Sequence, residues 1–132
     1  MILKQSIKTP KQTLSSSLML KVLHNHHCSK SRGLLEFLDE RKVDYELINI
    51  VHEPLTVLEL KTLLKKLNLS VQELIRKNET LFKERFSHQT FSDEDWLYLL
   101  SENPSLIQRP IVIKGNQAIV ARPLEVVLPY IE

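Results

Sequence analysis

Apolar residues recur at two different periods along this 132-residue chain, and the order in which those periods alternate limits the fold more than any other feature. Leu20-Lys21-Val22-Leu23 is a short apolar run of buried-strand character, followed over Ser31 to Arg41 by Leu34, Phe37 and Leu38 at helical spacing. Tyr45 to Val51 alternates well enough for a second strand. Thr56-x-x-Glu59, Ser70-x-x-Glu73 and Ser92-x-x-Asp95 then each place a hydroxyl three residues before an acid, the device that satisfies the free N–H groups opening a helix. The first of these helices presents Val57, Leu60, Leu64 and Leu67, the second is shorter, and the third carries Trp96, Leu97, Leu99 and Leu100 until Pro104 ends it. Between the second and third lies a polar loop containing Arg76. Ile111-Val112-Ile113 and Ala118-Ile119-Val120 flank Gly115-Asn116 and predict a hairpin. Pro123 then opens a last helix with Leu124, Val127, Leu128 and Ile131 on one face. Strand, helix, strand, three helices, hairpin, helix specifies an α/β sandwich whose mixed sheet of about four strands receives a helical insertion before the hairpin.

Residues 1–18 are rich in Ser, Thr, Lys and Gln without an apolar period, and read as a flexible tail preceding one domain over 19–132. Residues 1–35 hold six Lys/Arg and no acid, which leaves 12 basic against 16 acidic side chains beyond them. That electropositive end lacks the aromatic side chains that stack on bases, so nucleic acid is not the expected partner. The apolar runs are far shorter than the roughly 20 residues that span a bilayer, and no membrane partner is expected. One cysteine cannot form an internal disulfide, which fits a reducing cytoplasm.

That cysteine, Cys28, stands where the first strand gives way to the first helix. The N–H groups at a helix start are unsatisfied and partly positive, and they stabilise a thiolate or an anion placed before them. His26, His27, Lys30 and Arg32 add positive or protonatable groups, and Ser29 and Ser31 offer hydroxyls to an oxyanion. Such surroundings raise thiol acidity and mark a reactive cysteine, not a packed one. His24, His26, His27 and Cys28 lie too close in sequence to converge on one tetrahedral ion, and no distant Cys/His pair completes the set, so no metal is expected.

The stretch His24-Asn25-His26-His27-Cys28-Ser29-Lys30-Ser31-Arg32 resembles the active-site segment of glutaredoxin-dependent arsenate reductases. Leu74-Ile75-Arg76-Lys77-Asn78, Leu106-Ile107-Gln108-Arg109-Pro110-Ile111-Val112 and Ala121-Arg122-Pro123 resemble, in order, the segments that carry that family's oxyanion-binding arginines. The resemblance covers about residues 19–132 and implies a thioredoxin-like three-layer sandwich. It implies Cys28 as nucleophile, His24 and Ser31 as support for its thiolate, and Arg76, Arg109 and Arg122 as clamps on arsenate or a similar oxyanion. It also implies glutathione as co-substrate, glutaredoxin as partner, no bound cofactor, and a cis peptide before Pro110. Guanidinium forks suit a tetrahedral oxyanion, and a doubly charged one calls for several. An external thiol is required as well, because the chain has no second cysteine to resolve an adduct. His26 stands where the family usually has proline, a departure that changes what holds the loop before Cys28.

Two other readings share the fold. A non-catalytic regulator that binds RNA polymerase commonly carries Cys-x-x-Cys, and position 31 here is serine. A general glutathione-dependent thiol transferase has no need of three clamping arginines.

Overall fold

The strand-forming runs assemble as their alternation predicts in the computed structural model, which describes residues 19–24 and 29–131. The expected tail, 1–18, lies outside the described residues. β1 (Leu20–His24), β2 (Tyr45–Asn49), β3 (Ile111–Lys114) and β4 (Gln117–Val120) form one sheet in the order β2-β1-β3-β4. β1 and β2 are parallel, so the chain must cross over between them, and α1 (Ser29–Glu40) is that crossover. β3 is antiparallel to β1, and β4 to β3, which makes the sheet mixed. Gly115 has φ of 61°, the positive value that a tight hairpin turn asks of its glycine.

The described residues divide into two compact units, one ending at Asn49 and resuming at Arg109, the other spanning Ile50–Gln108. In the first, Leu34, Leu35 and Leu38 of α1 pack with Leu20 and Val22 of β1, Tyr45 and Leu47 of β2, Val112 and Val127. Phe37, expected among the core residues, is only partly buried and takes the Arg41 guanidinium over its ring at 3.7 Å. The expected final helix is divided: a 3₁₀ turn, Leu124–Val127, precedes α5 (Leu128–Ile131), and Pro123 caps the turn from outside with ψ of 162°. Pro129 has no N–H to offer the carbonyl of Glu125, so a single continuous α-helix would lose a hydrogen bond there.

Tyr45, only 1% exposed, donates its hydroxyl to Asp39 Oδ1 at 2.9 Å. Burial first, then the hydrogen bond and the charge of Asp39, push its ionisation well above the ordinary tyrosine range. A pKa raised on folding contributes stability that is complete below the unfolded value of about 10 and is lost as pH climbs toward the folded one. The urea midpoint is therefore expected to drop above pH of about 10, and Tyr45→Phe should flatten that drop while costing about 1 kcal/mol at neutral pH. An identical alkaline decline in the variant would remove Tyr45 as its source.

In the second unit the three capping boxes close as written in the sequence. Thr56, Ser70 and Ser92 each accept from the backbone three residues on, at the heads of α2 (Val57–Leu67), α3 (Val71–Leu74) and α4 (Asp93–Glu102). α2 buries Leu60, Leu63 and Leu67, so Leu63 takes the inward place expected of Leu64. The region read as a polar loop after α3 instead contains a π-helical turn, Phe82–Phe86. Its cause is tertiary: Phe82 stacks on Trp96 at 5.8 Å between centroids, with Phe86 and Phe91 edge-on at 5.9 and 5.2 Å.

Candidate active site

The sheet register gathers several chain segments at one end of the first unit. His24 pairs with Asn49 as β1 and β2 finish together, and Leu23 pairs with Ile111, so β3 begins where β1 stops. Ile111 also pairs with Val120, so β4 finishes there too. Continuing the hairpin register outward sets Pro110 across from Ala121 and Arg109 across from Arg122. Hydrogen bonds hold that arrangement: Ala121 N–H donates to the Pro110 carbonyl at 2.9 Å, and Arg122 Nε donates to the Arg109 carbonyl at 2.7 Å. Arg109–Pro110 is cis, as the resemblance implied, and Arg122–Pro123 is cis as well, which the sequence reading missed.

His24, Ser31 and Arg109 are the buried polar or charged residues among those described, at 3%, 0% and 7% exposure. Ser31 Oγ has no hydrogen-bond partner among the described residues. A guanidinium held in such a low-dielectric setting attracts an anion more strongly than one in water. Arg122, by contrast, is exposed. The helix starting nearby in sequence adds to this field. α2, α3 and α4 each place acid in their first turn, whereas α1 has none and carries Lys30 and Arg32 there, so nothing offsets the positive end of its dipole.

The expected nucleophile Cys28, with His26 and His27, lies outside the described residues. Of the other expected site residues, His24, Ser31, Arg109 and Arg122 belong to the first unit and Arg76 to the second. Arg76 N–H donates to the Leu106 carbonyl at 2.7 Å, beside a bridge between Ile75 and Ile107. Its guanidinium meets Glu79 Oε2 at 3.0 Å, both side chains being partly buried. Glu79 was not singled out from the sequence, although Arg76-x-x-Glu79 is the spacing of a one-turn ion pair.

Two arginines and an acid-free helix start thus give this end of the first unit a concentration of positive charge. The chain belongs to the ArsC family, whose family model matches residues 23–129. It is similar to the uncharacterised protein YfgD of Escherichia coli K12, at 38% identity over 83% of this chain and 93% of that protein. An arsenate reductase of Neisseria meningitidis is 35% identical over 80% of this chain and 92% of its own length. Among solved structures, an arsenate reductase from Vibrio cholerae superposes with a TM-score of 0.79 at 35% identity, covering 86% of this chain and 98% of that one. The thioredoxin-like α/β fold implied by the sequence is therefore the fold of the protein. No helix among the described residues is long and apolar enough to cross a membrane.

Proposed function

We propose that this protein reduces arsenate to arsenite in the cytoplasm, with Cys28 as nucleophile and with glutathione and glutaredoxin supplying the electrons. The observation that carries this reading is the pairing of Arg109 and Arg122 at the sheet end where β1 runs toward the cysteine segment. Arsenate held there presents its arsenic to the Cys28 thiolate, which forms a sulfur–arsenic bond as one oxygen leaves as water. Glutathione displaces a second oxygen, again as water. The glutaredoxin thiol then attacks the glutathione sulfur, so that arsenic takes up the electron pair of the breaking bond and falls from the pentavalent to the trivalent state. The products are a glutathione–glutaredoxin disulfide and, after water releases Cys28, arsenite. His24 and Ser31 bracket the cysteine segment in sequence and serve to keep its thiolate ionised, and Arg76 is the third arginine assigned to the oxyanion.

Purified protein supplied with arsenate, glutathione and glutaredoxin is expected to generate arsenite in proportion to enzyme; failure of arsenite to form ends this reading. A finer expectation concerns Glu79, whose carboxylate competes with an oxyanion for Arg76. Glu79→Gln should lower KM for arsenate by about 2- to 5-fold, the scale on which a partly exposed ion pair acts. An unchanged or higher KM would take Arg76 out of the clamp.

A further inference from the structure

Three large apolar side chains stand exposed among the described residues, Val51, Leu58 and Tyr98, and all belong to the Ile50–Gln108 unit. A single exposed leucine is commonplace, but Leu58 and Tyr98 are neighbours. α2 and α4 run side by side and antiparallel: Ser101 Oγ donates to the Leu55 carbonyl at 2.6 Å, and Lys61 Nζ meets Glu94 Oε2 at 3.4 Å. Midway between those two contacts Leu58 comes level with Tyr98. At the helical period each lies on the face opposite the unit's interior, into which α2 sends Leu60, Leu63 and Leu67 and α4 sends Trp96, Leu97 and Leu100. At 73% and 59% exposure the two side chains make an apolar centre on a surface that is otherwise charged.

The charges around that centre are sorted by helix. The outer stripe of α2 continues from Leu58 through Lys61 to Lys65, whereas Tyr98 has Glu94, Asp95 and Glu102 within one turn of it on α4, all of them exposed. A basic strip therefore lies beside an acidic one, and a surface of that kind complements itself. Under a two-fold axis running along the seam, α2 of each copy lies over α4 of the other. Because Leu58 is level with Tyr98 and Lys61 with Glu94, that one operation sets each Leu58 on the Tyr98 of the other copy and each Lys61 against its Glu94. An axis across the seam would instead set acids on acids. We infer that the α2–α4 face is where two copies of this chain associate, as an isologous dimer made by the helical unit. With 11 residues α2 is only about 16 Å long, so the contact belongs to the transient class that buries less than about 1,200 Å².

Sedimentation equilibrium of the full-length chain, carried to about 1 mM where weak pairs become populated, is expected to show monomer in exchange with dimer. Leu58→Gln and Tyr98→Gln alter exposed positions and should leave thermal unfolding unchanged, while each raises the dissociation constant about 10-fold. Lys61→Glu should weaken the dimer as well, and Lys61→Glu/Glu94→Lys should recover it, since the swap restores opposite charges across the two-fold. In a Cys28→Ser background, Leu58→Cys chains mixed with Tyr98→Cys chains are expected to oxidise to the mixed disulfide in preference to either chain with itself, because only the mixed pair is brought face to face. A chain that stays monomeric throughout leaves this face to another partner or to solvent and overturns the inference. A dimer that persists in both glutamine variants, or that cross-links like with like as readily as unlike, uses a different surface and overturns it equally.

Discussion

Cys28→Ser is expected to abolish arsenate-dependent turnover, with a fall of about 10³-fold or more, the scale seen when a covalent nucleophile is removed. The substitution replaces one atom with a smaller one of the same valence, so thermal stability should hardly move. A serine hydroxyl stays protonated where a thiolate is ionised, and it cannot form the sulfur–arsenic bond with which the mechanism begins. No other side chain can stand in, because the sequence contains a single cysteine. Arsenite production measured at saturating arsenate, glutathione and glutaredoxin decides the matter. Turnover in the variant equal to wild type would discard the covalent mechanism.

Arg109→Ala should lower kcat/KM for arsenate by about 10²- to 10³-fold, comparable to deleting a preorganised donor to a developing oxyanion. The size of the effect follows from burial: at 7% exposure the Arg109 charge is screened far less than that of Arg122, its exposed neighbour across the hairpin. Arg122→Ala should accordingly cost less, about 10-fold, and lose more of its effect in high salt. Arg109→Lys is expected to recover only part of the activity, since an ammonium supplies the charge without the fork. Full activity in Arg109→Ala, in protein shown to be folded, would remove the buried guanidinium from oxyanion binding.

Local signals in this sequence translated well into structure. Each capping box closed where it was read, because a hydroxyl, an acid and three residues of spacing are all that the motif needs. The strands and the Gly115 turn followed for the same reason. What escaped was non-local. The Phe82–Phe86 turn has no helical apolar period and exists because three phenylalanines close around Trp96. Leu63 displaced Leu64 because a stripe read from spacing leaves the rotation of its helix to the neighbours that pack on it. At the site, the facing of Arg109 and Arg122 was within reach of the sequence, since counting outward from Gly115-Asn116 in hairpin register brings them opposite one another. The pairing of Arg76 with Glu79 has a one-turn spacing, but it escaped because Arg76 was read as part of a polar loop, where that spacing carries no weight.

Trp96 is the sole tryptophan of the chain, and its ring is ringed by phenylalanines that all belong to the Ile50–Gln108 unit. The molecule thus carries a native optical gauge for one of its halves. Indole emission follows the loosening of the helical half, while far-ultraviolet ellipticity sums over both. A divergence between the two signals during denaturation would reveal whether the halves come apart in one step or in succession.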